Sequence, residues 1–162
     1  MSIAATQGVL TPYERLERLG ITLPEAPPPI GSFVTHVIDG KLMFLSGQGP
    51  READGTLHRG KVGDTVTTEE AYAHARLTAV NLLSVMHHAL GDLGRVRRIV
   101  KVLGMVNAEE GFADHPAVIN GCSDLLMEVF GDNGPHARSA VGVASLPGQI
   151  TVEVEAVIAI DG

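Results

Sequence analysis

Apolar residues occupy every second position near the end of the chain, and this alternation constrains the fold more than any other feature of the sequence. They are Ile150, Val152, Val154, Ala156, Ile158 and Ile160. Successive side chains of a β-strand point to opposite faces of a sheet, so the alternation predicts a strand with one wholly apolar face. Such a face has to be covered, and we expect helices to cover it.

The segment just before this strand, HARSAVGVASLPGQ, reads as a second strand that turns back at Pro147-Gly148. In the resulting hairpin Arg138 lies opposite Val157, on the same face as Glu153 and Glu155. That face also receives the small residues of the earlier strand, whereas Val141 and Val143 are directed toward the helices. The small residues are Ala140, Gly142 and Ala144.

Small residues cannot shield a sheet from water, so we expect another subunit or a ligand to cover the glutamate face. Arg138 and Glu153 would then lie partly buried at the seam. Two interpretations stay open from this pattern alone. Arg138 forms either a structural cross-strand ion pair with Glu155, which lies diagonal to it, or part of a ligand site.

Two helices are predicted upstream. Thr67 and Glu70 have the spacing of a capping box, which starts a helix that runs to about Leu90. A second helix starts around Asp114 and ends at Gly131, and its apolar stripe includes Cys122. We expect Cys122 to be a buried small apolar residue rather than a reactive thiol.

The remaining strands complete the order β-β-α-β-α-β-β. Asp39-Gly40 predicts a hairpin, and residues 95–107 are rich in β-branched residues, as strands are. The order indicates an α+β fold with a mixed sheet and both helices on one face. Three successive prolines at 27–29 interrupt regular structure. We therefore divide the chain into an N-terminal arm, 1–30, and a single domain, 31–162.

Composition excludes several classes of protein. The net charge of −7 argues against nucleic-acid binding through phosphate contacts, and the single cysteine allows no internal disulfide. The sequence has neither a signal peptide nor an apolar run of membrane-spanning length, so we expect a cytoplasmic protein that does not bind membranes. The histidines lack metal-ligand spacing, and we expect no metal site.

The sequence resembles the YjgF/Rid family, also named L-PSP endoribonucleases. The resemblance is carried by ARSAVGVASLP, VEVEAV and LMFLSGQGP, and it spans roughly residues 28–160. INGCSDLL and HARSAVGV point to a longer-armed subgroup. The resemblance implies a chorismate-mutase-like fold in a barrel-like homotrimer, with clefts between subunits. It also implies hydrolysis of 2-imino or enamine acids, such as 2-aminoacrylate, to 2-keto acids and ammonia without a cofactor.

The resemblance also assigns roles within such a cleft. Arg138 would hold the substrate carboxylate, Glu153 would activate a water molecule, and Ser46 and Gly47 would bring backbone groups to the substrate. Some positions depart from the family pattern, because the family tyrosine and cysteine are replaced here. The other residues expected to contact the substrate are Phe33 at the tyrosine position, Ala140 at the cysteine position, Ser123 (or Asn120) at the asparagine position, and His136.

Two other functions stay open. The older family name suggests an endoribonuclease or translation inhibitor, which the acidic composition disfavours. A non-catalytic protein that binds small carboxylates would need the same arginine but no activated water.

Overall fold

A single five-stranded mixed sheet organises the computed structural model, which describes residues 8–162. The strand order is β1-β2-β5-β3-β4, so the predicted α+β class is confirmed. The elements are α1 Pro12–Arg18, β1 His36–Asp39, β2 Leu42–Gln48, α2 Thr68–Leu90, β3 Val96–Asn107, α3 His115–Phe130, β4 Ala137–Val143 and β5 Val152–Ile160.

Strand β5 lies inside the sheet, antiparallel to both β2 and β3. The alternate apolar residues from Val152 to Ile160 are buried, as predicted. Helix α2 packs on β2 and β5, and α3 packs on β3 and β4. Both helices therefore cover the same face, as expected. Ile150 departs from the predicted pattern: it lies before β5 and packs against Gly49 at the edge of a cavity described below.

The predicted hairpin between the last two strands is wrong. Strand β4 pairs in parallel with β3, with Val102 opposite Arg138 and Gly104 opposite Ala140. The chain makes a β3-α3-β4 crossover, which is the connection that parallel neighbours require. Both edges of β5 are already paired with β2 and β3, so β4 has no place beside it.

The parallel pairing with β3 also places the side chains of β4 on the faces opposite to those predicted. Arg138 bonds to α3, Ala140 packs against the core, and a Cβ at Gly142 would overlap the His115 ring of α3. These residues face the helices, whereas the glutamates of β5 face away from them. Val141, predicted beneath the helices, is 42% exposed on the other face. An Arg138–Glu155 ion pair within one chain is therefore excluded.

The helices begin and end where the sequence signals place them. The Thr67 hydroxyl accepts a hydrogen bond from the Glu70 N–H, and the Glu70 carboxylate accepts one from the Thr67 N–H. Gly91 ends α2 in the left-handed conformation, at φ 75°. Cys122 is fully buried on α3, and this burial raises the pKa of its thiol to about 12. Its predicted role as a buried apolar residue is confirmed.

The N-terminal segment packs on the same core. Thr11 caps α1 in a capping box with Glu14, and Leu16 of α1 is buried. Ile21, Leu23 and Ala26 follow it against the core. Within residues 8–162, the helices lack the combination of length and apolar character that crossing a membrane would need.

Candidate functional site

The residues predicted to form the site fall into two separate groups. We call the first the acidic pocket: Glu153, Gly47 and Phe33 line a cavity of about 460 Å³. We call the second the arginine cluster: Arg138 with Asn120, Ser123 and His136. Ala140 belongs to neither group, because it packs beneath α3 opposite Gly104.

A β-bulge in β2 shapes the acidic pocket. Leu45 pairs with Ala156 and Gln48 with Val154, so Ser46 and Gly47 together oppose the single residue between them, Glu155. The bulge brings the Gly47 backbone against the side chain of Glu153. A Cβ at Gly47 would overlap the Glu153 carboxylate, so the close approach needs glycine at this position.

The Glu153 carboxylate is half-buried. Burial raises its pKa above the ordinary glutamate value, and the nearby Glu155 raises it further. The ion pairs within residues 8–162 join His58 to Glu52, Arg76 to Glu128 and Arg97 to Asp161, so none of them neutralises Glu153. A carboxylate with a raised pKa beside a cavity can accept a proton from a bound water molecule.

Ser46 lies at the bulge, but its hydroxyl is engaged by the protein. It donates a 2.6 Å hydrogen bond to the Val34 carbonyl, and the Ser46 N–H donates to the Thr35 carbonyl at 3.0 Å. These bonds fasten the segment that follows Phe33 to β2. The Phe33 ring is thereby held beside the cavity, where it is 46% exposed.

The arginine cluster forms where β4 passes beneath the first half of α3. One terminal nitrogen of Arg138, Nη1, donates to Asn120 Oδ1 at 2.9 Å and to Ser123 Oγ at 3.1 Å. The other, Nη2, reaches the Pro116 carbonyl at 3.5 Å. These bonds fix the guanidinium plane, and among the described residues no acceptor engages the edge formed by Nε–H and the second Nη2–H. This edge has the geometry that binds both oxygens of a carboxylate.

His136 supports the arginine cluster through Ser123. Its Nδ1 lies 2.7 Å from the Gly134 carbonyl and its Nε2 lies 2.9 Å from Ser123 Oγ. Since a carbonyl only accepts, Nδ1 carries the proton in the neutral ring, and Nε2 accepts from the serine hydroxyl. The same hydroxyl oxygen accepts from Arg138. His136 is thus a positioning residue for Ser123 and Arg138.

The two groups lie on opposite faces of the sheet. Arg138 faces α3, whereas Glu153 alternates with the buried residues of β5 and faces the other side. Strand β3 also separates β4 from β5. One chain therefore does not place the guanidinium and the carboxylate around a common ligand.

Sequence reasoning missed most of the wall of the acidic pocket. The missed residues are Pro27, Pro28, Pro29, Ile30, Gln48, Gly49, Arg51, Leu57, Pro147, Gly148 and Ile150. The proline run was the available signal, since a rigid extended segment outside the sheet has to lie on some surface of the domain. Within residues 8–162, no three His, Cys, Asp or Glu side chains are grouped in a way that could hold a metal ion.

Burial of Glu153 has a consequence for stability that can be measured. Because its folded-state pKa is raised, ionisation of Glu153 opposes folding above the ordinary glutamate pKa. We expect Glu153→Gln to raise the unfolding temperature at pH 7. The difference should disappear below about pH 4, where the unfolded chain is also protonated. Thermal unfolding of the wild type and of Glu153→Gln between pH 4 and 8 measures this difference in unfolding temperature. An equal difference at all pH values would contradict a raised pKa of Glu153.

Comparisons with known proteins agree with this fold. A family model described as "YjgF/chorismate_mutase-like, putative endoribonuclease" matches residues 13–154. Protein TCP17 of Trypanosoma cruzi is 43% identical over 159 residues, covering 98% of each chain. A 2-iminobutanoate/2-iminopropanoate deaminase of Dermatophagoides farinae is 32% identical over 146 residues, covering 87% of this chain and 95% of its own.

A solved structure has the same fold. The crystal structure of the Agrobacterium tumefaciens protein Atu1372, whose function is unknown, superposes with a TM-score of 0.85. The two sequences are 42% identical, and the match covers 91% of each chain. The fold, the family model and these relatives together show that the chain belongs to the YjgF/Rid family.

Proposed function

We propose that the protein is a hydrolytic deaminase of reactive 2-imino and enamine acids, which it converts to 2-keto acids and ammonia in clefts between subunits. One observation carries the proposal: a pre-positioned guanidinium and a half-buried carboxylate lie on opposite faces of the chain, and neither is neutralised within it. Unpaired charges at partly buried positions are costly and concentrate at functional sites. The relative named as a 2-iminobutanoate/2-iminopropanoate deaminase supports this reaction class.

The sheet face opposite the helices supports the assembly. Val37, Phe44 and Val141 lie on this face and are 54%, 43% and 42% exposed. Leu103 and Val157 lie between them. This face also carries Lys101, Glu153 and Glu155, and its exposed apolar residues are stabilised when another subunit covers them. We propose a cyclic homotrimer, in which Arg138 of one subunit meets Glu153 of the next and the same contact repeats until the ring closes.

In this cleft the free Nε–Nη2 edge of Arg138 binds the substrate carboxylate through two parallel hydrogen bonds. The bound carboxylate fixes the position of the adjoining C=N carbon, and Glu153 holds a water molecule beside that carbon. Glu153 takes a proton from the water while the oxygen bonds to carbon and the π electrons pass to nitrogen, which takes up a proton from solvent. Glu153 then returns its proton to the amino nitrogen of the carbinolamine, the hydroxyl proton passes to solvent, and ammonia leaves as the C=O bond forms.

Keto-acid release tests the proposal. Imino acids are generated in situ by an amino-acid oxidase, and the rate of keto-acid formation is compared with and without the protein. We expect acceleration by the wild type. Absence of acceleration over a panel of imino acids would contradict deaminase activity. Stabilisation by keto acids without turnover would then favour a carboxylate-binding protein, and RNA cleavage lost in Arg138→Ala would favour an endoribonuclease.

The raised pKa of Glu153 also sets the expected pH dependence. Glu153 accepts a proton only when ionised, so activity should fall as the pH is lowered through its pKa. Burial raises that pKa, and the bound substrate carboxylate neutralises the Arg138 guanidinium that would otherwise lower it, so the fall should begin above the ordinary glutamate value of about 4.3. The profile of kcat, which reports the enzyme–substrate complex, measures this between pH 4 and 8. A profile that stays flat down to pH 4 would exclude Glu153 as the base.

A further inference from the structure

We infer that the acidic pocket takes the side chain of the substrate, and that the preferred substrates are 2-imino acids with large aliphatic or aromatic side chains. This inference rests on the proposed function and extends it to a substrate class. It is carried by the size, the lining and the rigidity of the cavity that contains Glu153.

The cavity is larger than a three- or four-carbon imino acid requires. Its volume of about 460 Å³ lies within the range, roughly 300 to 1,000 Å³, of cavities that enclose drug-sized ligands. Most of the lining is apolar. It is formed by Pro27–Pro29, Phe33, Leu57 and Ile150. A small substrate held at Glu153 would leave this apolar surface uncovered.

The wall is rigid, so it can select by shape. Proline fixes its own backbone, and Pro27 is itself buried. The cavity is also lined by the turn at 147–149, which holds Gly148 and Gln149 at φ 61° and 58°. The side chain of Gln149 accepts a hydrogen bond from the fully buried Asn107. A preformed wall binds an apolar group with little loss of conformational entropy.

Charge restricts which part of the substrate enters the pocket. The Glu153 carboxylate disfavours the substrate carboxylate and acidic side chains, whereas the proposed Arg138 contact attracts the substrate carboxylate. Among the described lining residues Arg51 is the other charged group, and its guanidinium lies near Gly55 in a neighbouring turn. An apolar side chain is therefore the group that fits the proline-lined part of the cavity.

The test compares imino acids generated in situ from alanine, leucine and phenylalanine. We expect the wild type to show a kcat/KM for the leucine- or phenylalanine-derived imine at least about tenfold above that for the alanine-derived one, since a single methylene in an apolar pocket is worth roughly that much. Phe33→Ala, which opens the wall, and Leu57→Trp, which fills the cavity, should each reduce this ratio. Val34→Ala is the matched control, because Val34 is exposed beside Phe33 and does not line the cavity.

The outcomes separate this inference from the proposed function. Acceleration of all three imines with no preference for large ones, or equal losses in Phe33→Ala for small and large substrates, overturns the side-chain pocket and leaves the deaminase intact. If no imine is accelerated, the deaminase fails. Thermal shifts with 4-methyl-2-oxopentanoate and pyruvate then decide on the pocket: stronger stabilisation by the larger acid supports it, and equal or absent stabilisation overturns it.

Discussion

Arg138→Ala is expected to lower kcat/KM for keto-acid release by on the order of 100- to 1,000-fold. A hydrogen bond to a charged group contributes about 1.5 to 3 kcal/mol, and Arg138 offers the substrate carboxylate two such bonds, so a loss of this size is expected. Since Asn120 and Ser123 already hold the guanidinium, the free edge needs no reorganisation when the carboxylate arrives. The loss is measured on imino acids generated in situ, with the uncatalysed rate subtracted.

Two matched variants show whether the loss comes from the planar guanidinium. Arg138→Lys keeps the positive charge but not the paired donors, so it should recover only a small part of the lost activity. Arg76→Ala removes an arginine of α2 whose contact is a surface ion pair with Glu128, and it should leave the rate unchanged. An Arg138→Ala protein within about threefold of the wild type would contradict the assignment of Arg138 as the carboxylate ligand.

The opposite placement of Arg138 and Glu153 allows a test of the intersubunit cleft. Arg138→Ala and Glu153→Gln subunits, carrying different tags, are co-expressed, and oligomers that hold both tags are isolated. Each variant alone lacks one half of every cleft. In a mixed trimer one cleft in three joins an intact Arg138 to an intact Glu153, so we expect activity of about a third of the wild-type value. Mixed oligomers as inactive as the single variants would contradict a site shared between subunits.

Elements set by local chemistry could be predicted from the sequence. The capping box at Thr67, the glycine at the end of α2 and the Asp39-Gly40 turn depend on residues within a few positions of one another. The alternation in β5 was equally informative, because a strand with one buried face shows its period directly. These signals were enough to place both long helices and the strands.

Strand pairing could not be predicted in the same way. Pro147-Gly148 has the sequence of a hairpin turn. In the structure it follows β4 and leads the chain across β3, so that β5 lies between β2 and β3. Whether β4 returns on β5 or lies parallel to β3 depends on which edges are free, which is a property of the whole sheet. The β3-α3-β4 order contained the signal, since a strand, a helix and a strand in succession favour a parallel pair.

The same limit applies to the candidate site. Sequence patterns pointed to Arg138 and Glu153, which stand out by residue type, and the family resemblance pointed to Gly47. The wall of the acidic pocket joins residues 27–33, 57 and 147–150, which lie far apart in the chain. The contacts of Arg138 with Asn120 and Ser123 likewise depend on α3 crossing β4. Only tertiary structure brings these residues together.

Gly121→Ala is expected to destabilise the fold by about 3 kcal/mol, at the upper end of what overpacking costs. A Cβ at Gly121 of α3 would overlap the Tyr72 carbonyl of α2 and lie 3.0 Å from the Arg76 backbone nitrogen. Both obstacles are backbone atoms, so no side-chain rotation relieves them, and the two helices would have to move apart over the buried core. The unfolding temperature should fall by roughly 6 to 12 °C.

The sign of the Gly121→Ala effect separates two physical causes. Alanine inside a helix is intrinsically favoured over glycine by about 1 kcal/mol, so propensity alone would make the variant more stable. Gly111→Ala is the matched control, since a Cβ there meets only the flexible end of Glu109, at 3.9 Å; we expect almost no change in its unfolding temperature. A Gly121→Ala protein as stable as the wild type would mean that the α2–α3 crossing relaxes at little cost. A clear loss of stability would show that Gly121 sets the distance between α2 and α3. Gly121 would thereby also set the positions of Asn120 and Ser123, which hold Arg138.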